Sequence, residues 1–99
     1  MVEAKLLPIM GRDGEVINSV YATARFAALP RKGEIVFMGH LQIKEIVDKM
    51  RELPEEVFVP EVFYKGEPNG IEEYQHVHQI IYNEYNGTIL IFLSKEQSK

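Results

Sequence analysis

Two extended runs near the end of the chain, residues 74–85 and 88–93, flank the dipeptide Asn86-Gly87. Asn-Gly between two such runs is the strongest short-range signal of a β-hairpin, because a type I′ turn requires positive φ at both central residues. The pattern therefore predicts a hairpin whose turn is centred on Asn86 and Gly87. Residues 89–93 are apolar at every position, which is typical of a strand with both faces buried.

The first third of the chain predicts two further strands. Residues 4–10 fit a short strand, and Pro8 indicates an edge position because proline has no N–H to donate to a neighbouring strand. Residues 15–26 alternate apolar and polar side chains in their second half, which is typical of a half-buried strand. The same segment also fits a helix with an apolar stripe that starts at Ile17, and the pattern leaves both structures open.

Apolar residues in the middle of the chain fit both the periodicity of a helix and that of a strand. Residues 35–38 predict a short buried strand that stops at Gly39. Residues 42–53 fit a helix, because their apolar residues line one face and Pro54 supplies a stop signal. Alternation at the start of this segment also allows a strand, so the pattern leaves its state open.

The segment that follows is rich in valine and phenylalanine. Residues 56–65 predict another extended piece, which Pro60 bends or confines to an edge of a sheet. Glu56-Val57-Phe58 recurs as Glu61-Val62-Phe63, but an echo at a spacing of five residues is too short to predict a structural repeat.

A pattern of turn residues and apolar residues runs through residues 26–47: Leu29-Pro30-Arg31-Lys32-Gly33-Glu34-Ile35-Val36, then Gly39, then Leu41-Gln42-Ile43-Lys44-Glu45-Ile46-Val47. It resembles small, mostly uncharacterised bacterial and phage β proteins, in an arrangement akin to an SH3-like barrel. The chain departs from that pattern after Val47, where such proteins carry a histidine and a short loop, whereas Asp48 and residues 49–53 fit a helix. The resemblance implies a β fold and no particular activity.

Together these segments predict a mainly β protein, a small partly open barrel or a curled antiparallel sheet of about five or six strands. The alternative is an α+β fold with one helix at residues 42–53. A chain of 99 residues suffices for one core, so residues 1–99 are expected to form a single domain. One sheet of this size rarely covers a strand that is apolar on both faces, so residues 88–93 also predict a homo-oligomer.

Composition narrows the class of protein. With 45% apolar and 26% charged residues, the chain belongs with soluble globular proteins, and its longest apolar run is too short to span a bilayer. The N-terminus lacks the basic start and apolar stretch of a signal peptide. The absence of cysteine agrees with a reducing compartment. A cytoplasmic location without a membrane partner is expected.

The net charge of −4 is unevenly distributed. Residues 52–73, which we call the acidic block, carry seven acidic groups and one basic group. Nucleic-acid binding normally needs a basic face, and only Arg25, Arg31 and Lys32 cluster, so no nucleic-acid partner is predicted. The acidic block predicts either a solvated surface or a docking surface for a basic protein partner.

Aromatic and histidine side chains recur in the predicted strand at 74–85. In a regular strand, alternate residues share one face, and this face could stack on a ligand or simply stabilise the sheet. The residues that would share it are Tyr74, His76, His78, Ile80 and Tyr82.

The two histidines of that face would stand close enough for both rings to reach one metal ion. A zinc or iron site would need a third ligand from His40, Glu72, Glu73 or another chain. Two half-exposed strand residues with ordinary hydrogen bonds are the simpler interpretation. The sequence therefore assigns no catalytic residue, no metal and no cofactor.

The predicted function is a non-enzymatic binding protein that blocks a protein partner or sequesters a small anionic ligand. Small, acidic, cysteine-free proteins of this kind are common among phage-encoded inhibitors of host systems. One alternative is a small metal-dependent hydrolase using His76 and His78, and another is a structural subunit of an assembly. The candidate ligand-binding residues are Arg31, Lys32, Tyr74, His76, His78 and Tyr82.

Overall fold

The computed structural model of the protein describes residues 1–95. Its elements are β1 (Val2–Pro8), β2 (Ala22–Phe26), α1 (His40–Met50), β3 (Phe63–Tyr64), β4 (Glu67–Pro68), β5 (His76–Asn83) and β6 (Thr88–Ser94), with 3₁₀ turns at Glu55–Val57, Pro60–Val62 and Ile71–Glu73. Four strands form one sheet in the order β2-β1-β6-β5, and β3 pairs with β4. The mainly β prediction is confirmed, in its alternative form with one helix. The main sheet is open and mixed, because β1 and β6 run parallel.

The predicted hairpin is present as the antiparallel pair β5 and β6. Its turn is not type I′, because only Gly87 has positive φ, at 71°. The turn instead spans residues 84–87, closed by the Gly87 N–H donating to the Asn83 carbonyl oxygen at 2.8 Å. Asn86 Oδ1 accepts the Thr88 N–H at 3.0 Å. Asparagine thus serves this turn through its side chain rather than through a left-handed backbone.

Strand β1 lies inside the sheet, so the edge position predicted from Pro8 was wrong. Proline is tolerated here because it is the last residue of β1, and the next residue continues the pairing. The Ile9 N–H donates to the Leu93 carbonyl oxygen at 2.8 Å. A missing donor at the end of a strand leaves the ladder intact.

Strand β6 is buried less evenly than its composition predicted. Ile91 and Leu93 are fully buried on the face that meets α1, whereas Leu90 and Phe92 on the opposite face are only partly buried. The continuous apolar run therefore reflects one covered face and one that is still partly open to solvent.

The core forms between the sheet and the elements that follow β2. Apolar residues recur three and four apart along α1, which turns Ile46 and Met50 inward. The helix predicted at residues 42–53 instead runs from His40 to Met50 and ends four residues before Pro54. The largest fully buried side chains of the core are Phe58, Leu6, Met10, Ile46, Met50, Ile71, Ile91 and Leu93.

The free edge of β2 is covered by α1. The Thr23 N–H donates to Glu45 Oε1 at 3.4 Å, and Lys49 Nζ donates to the Tyr21 carbonyl oxygen at 2.9 Å. The same ammonium lies 3.4 Å from the centre of the Tyr21 ring. Glu45 and Lys49 are one helical turn apart and also pair with each other at 3.3 Å. Two helix side chains thus satisfy backbone groups that would otherwise be open to another strand.

The sequence predicted an extended piece at residues 56–65, but the only strand within that segment is β3. Two 3₁₀ turns, Glu55–Val57 and Pro60–Val62, each follow or begin at a proline and each precede an extended phenylalanine. Phe58 and Phe63 pack edge to face, with ring centroids 5.7 Å apart. The five-residue echo therefore coincides with two similar 3₁₀ turns, although proline caps the first turn and begins the second.

Candidate functional site

Residues 33–36, which we call the strap, lie along the outer edge of β5. The Gly33 N–H donates to the Val77 carbonyl oxygen at 2.8 Å, the Val77 N–H to the Glu34 carbonyl oxygen at 2.9 Å, and the Val36 N–H to the Gln75 carbonyl oxygen at 2.7 Å. The buried strand predicted at 35–38 is reduced to this short pairing. It covers only the end of β5 nearest His76.

An open groove of about 750 Å³ lies between the end of β2 and the strap. Phe26, residues 28–31 and residues 34–37 line it. We call it the binding groove. Its lining is largely apolar, with Arg31 and Glu34 as its charged members.

Large apolar side chains stand open to solvent at this groove. Phe37 is 79% exposed and Ile35 is 50% exposed, whereas Val36 between them is buried. In an extended chain alternate residues face opposite ways, so burying Val36 turns both neighbours outward. Ile35 and Phe37 both line the groove. Exposed apolar residues that lie together mark an interaction surface more often than scattered ones do.

Sequence reasoning missed this surface. A continuous apolar run such as residues 35–38 predicts a buried strand, because periodicity cannot tell which neighbours will cover each face. The available signal was the turn sequence on either side, with Pro30 and Gly33 before the run and Gly39 after it. These residues limit the strap to a single short pairing with β5.

The rim of the binding groove is basic. Five of the lysine and arginine side chains in residues 1–95 form ion pairs, and Lys5 and Lys65 lie over tyrosine rings. Of the rest, Arg31 lines the groove and Lys32 follows it in the chain, whereas Arg12 lines a different cavity. Glu34 is engaged locally, because its carboxylate accepts the backbone N–H of Arg31. Both cations at the rim are therefore available to an outside anion.

The predicted face of tyrosines and histidines is not formed. A β-bulge shifts the register of β5 between Val77 and Gln79. Val77 and Ile80, which a regular strand would place on opposite faces, both pack against the core. Tyr74 precedes the strand and is 3% exposed, whereas Tyr82 is 61% exposed. The bulge therefore separates side chains that regular alternation would have aligned.

The two histidines occupy different surroundings. His76 forms a bridge with Ile35 of the strap, and its Nδ1 is buried without a hydrogen-bond partner. His78 lines a shallow cavity of about 350 Å³ together with Glu15 and Asn18. Across residues 1–95 no group of three histidine, aspartate or glutamate side chains is placed to hold a metal ion. Arg31 and Lys32 are thus the predicted site residues that lie together at the binding groove.

Among the described residues, Tyr74 is the one whose pKa is strongly shifted. Burial raises its pKa to about 12, and the negative charges of Glu61 and Glu73 add to the effect. Burial and the two negative charges both disfavour the phenolate, because it would be poorly solvated and repelled. Tyr74 is therefore a protonated core residue rather than part of an exposed ligand surface.

The acidic block is exposed and only partly paired. Arg51 reaches Glu67 at 2.9 Å, and Lys95 reaches Glu73 at 3.4 Å. Its carboxylates are distributed over the 3₁₀ turns and the β3–β4 pair. Surface pairs of this kind contribute little to stability. The block's role as a docking surface stays a prediction.

Comparison with known proteins identifies no relative. No protein-family model matches the chain, and neither a curated protein nor a solved structure does so. The resemblance to SH3-like β proteins thus stays a prediction. Within residues 1–95 no helix combines the length and apolar character needed to cross a membrane.

Proposed function

We propose that this protein is a non-enzymatic binding protein that holds a segment of a protein partner in the binding groove and so blocks that partner. The observation that carries the proposal is the exposure of Phe37 and Ile35 beside an apolar groove. Burying an exposed side chain of this size contributes about 1.5–3 kcal/mol. Aromatic side chains at the centre of an interface often supply most of the binding energy.

The charge at the rim selects the kind of partner. Arg31 and Lys32 have no ion pair within residues 1–95, so an acidic group arriving at the rim would gain two charged neighbours. The expected occupant is a peptide segment that combines apolar side chains with aspartate or glutamate. Charge complementarity of this type mainly sets specificity and association rate.

The other predicted functions gain less support. Sequestration of a small anion would require the two cations, the histidines and the tyrosines to form one site. The bulge in β5 and the burial of Tyr74 separate these residues from one another. The hydrolase alternative relied on His76 and His78, whose surroundings differ. The binding groove instead combines apolar exposure and unpaired charge at one place.

Two synthetic peptides of equal length would test the proposal. Both carry the same phenylalanine and leucine residues, and one has aspartate where the other has lysine. Each is titrated into ¹⁵N-labelled protein while backbone amide shifts are followed. We expect the acidic peptide to shift the amides of residues 26–37 and the basic peptide to leave them unchanged.

Variants assign the effect to the groove. Phe37→Ala should weaken the acidic peptide about tenfold or more, because about 1.4 kcal/mol corresponds to a factor of ten. Arg31→Glu combined with Lys32→Glu should reverse the preference between the two peptides. Tyr85→Ala is the matched control, because Tyr85 is 98% exposed but lies on the β5–β6 turn, away from the groove. Equal shifts with both peptides, or an equal loss with Tyr85→Ala, would contradict the proposal.

A further inference from the structure

The outer edge of β5 is open beyond the strap. Strap pairing ends at Val77, and the bulge at His78 follows. From there to Asn83, no backbone hydrogen bond reaches the outer edge from any other part of residues 1–95. The backbone donors and acceptors of residues 79–83 that point away from β6 are therefore available to another strand.

The strap and the bulge at His78 protect one end of this edge, but the rest of it carries no further protection against strand pairing. Natural edges carry lysine, proline or an inward-pointing charge. Residues 79–83 are Gln79, Ile80, Ile81, Tyr82 and Asn83, with no charge and no proline. A neutral segment rich in β-branched and aromatic residues pairs readily. The segment is thus suited to strand addition.

We propose that the occupant is a second copy of this chain, paired antiparallel through residues 79–83 about a twofold axis at Ile81. In this register Ile81 faces its own equivalent, and Ile80 faces Tyr82 of the second copy. Gln79 faces Asn83 of the second copy, which joins two amide side chains. The two sheets become one continuous sheet, closed by the symmetry.

Charge complementarity favours a second copy over an unrelated strand. In this register Glu84 of one copy comes next to His78 of the other. The hydrogen bond from Gly33 to Val77 also holds Lys32 beside that position. Glu84 forms no ion pair within residues 1–95. Each end of the paired segment therefore brings the unpaired Glu84 carboxylate towards the ammonium of Lys32, which forms no ion pair within residues 1–95.

The other edge of the sheet offers no such site, because Glu45 and Lys49 occupy the backbone groups of Tyr21 and Thr23. Pairing is therefore restricted to β5 and ends at a dimer rather than a filament. A short edge contact buries less area than a standard interface, so the dimer should form reversibly with concentration. The binding groove shares Lys32 with this contact, but its lining residues Phe26, Ile35 and Phe37 take no part in it.

Sedimentation velocity of the full chain, from low micromolar to several hundred micromolar protein, would measure this association. We expect a shift from the 11.4 kDa chain mass towards twice that mass. Ile81→Lys should stay monomeric, because it places two like charges directly opposite each other. Ile81→Glu should behave in the same way. An equimolar mixture of these two variants should restore the dimer, since opposite charges then face each other at the axis.

Leu90→Lys is the matched control, because Leu90 is the cross-strand neighbour of Ile81 on β6, away from the edge. It should dimerise like the unmodified protein. A chain that stays monomeric at every concentration would overturn the proposal, and so would a dimer that survives Ile81→Lys. If the Ile81 variants do not fold, amide exchange of the unmodified protein decides. Protection that rises with concentration at residues 79–83 supports the proposal, and protection elsewhere overturns it.

Discussion

The two edges of the main sheet are covered in different ways. At the β2 edge, Glu45 and Lys49 hold the backbone groups of Thr23 and Tyr21. At the β5 edge, the strap satisfies one end and leaves residues 79–83 open. Helix side chains therefore block strand pairing at the β2 edge, whereas the backbone of the strap blocks only part of the β5 edge.

The difference shows how a small sheet can prevent growth in one direction and permit it in the other. Covering β2 requires a helix docked by its buried side chains, so protection of that edge depends on the core. Covering β5 requires only three backbone hydrogen bonds from the strap. The strap also carries Ile35 of the binding groove, so the partial cover of one edge creates the proposed binding surface.

The largest expected effect comes from loosening the helix that covers β2. Ile46 is fully buried in α1, and Ile46→Ala should lower the free energy of unfolding by about 2–4 kcal/mol through lost burial and the cavity left behind. Urea denaturation followed by circular dichroism would measure it. Leu41→Ala is the control on the same helix, because Leu41 is 76% exposed. Its change should stay within about 0.5 kcal/mol, and equal losses in the two variants would contradict the docking of α1.

A smaller effect is expected from uncovering the β2 edge while the helix stays docked. Lys49→Ala removes a hydrogen bond to the Tyr21 carbonyl oxygen and a cation over the Tyr21 ring. The cost should be about 1–2 kcal/mol. The variant also has two open edges, so it should form species larger than a dimer at high concentration.

The control for that experiment is Lys44→Ala. Lys44 pairs only with Asp48 on the exposed side of the same helix, at 2.8 Å, and an exposed pair of this kind contributes about 0.5 kcal/mol or less. Light scattering at matched concentrations would compare the two variants. If Lys44→Ala assembles as much as Lys49→Ala, covering of the β2 edge does not control assembly.

Local signals in the sequence predicted the elements whose causes are local. The β5–β6 hairpin follows from its two apolar runs, and α1 matches the helical one of the two structures that the pattern left open. Position in the sheet was not predictable in this way. Pro8 indicated an edge, yet β1 is central because β6 pairs parallel to it from the far end of the chain.

The candidate site was predicted least well, for the same physical reason. Arg31 and Lys32 were identified as charged residues beside a glycine. Phe37 was assigned to a buried strand, because nothing in residues 35–38 tells which side lacks a cover. The bulge at His78 adds one residue to the strand, and one residue suffices to exchange the two faces. Exposure and register here depend on distant segments, which a pattern within one segment cannot encode.

The smallest expected effect concerns the strap end of β5 and depends on pH. Tyr74 is followed by Gln75, whose carbonyl oxygen accepts the Val36 N–H of the strap at 2.7 Å. The pKa of Tyr74 is raised from 10 to about 12 by burial, with Glu61 and Glu73 adding to the shift. Between these values the folded chain keeps a proton that the unfolded chain loses. The stabilisation is therefore complete below pH 10 and is lost as the pH rises towards 12.

Between pH 9 and pH 11 the loss should be about 1 kcal/mol or less, since each pKa unit corresponds to about 1.4 kcal/mol and contact with solvent reduces the full effect. Urea denaturation at pH 9 and at pH 11 would measure it. Tyr74→Phe has no proton to lose, so its stability should fall less than that of the unmodified chain. Tyr85→Phe should keep the full loss, because Tyr85 is 98% exposed. An equal fall in the two variants would show that Tyr74 does not control the alkaline opening of this edge.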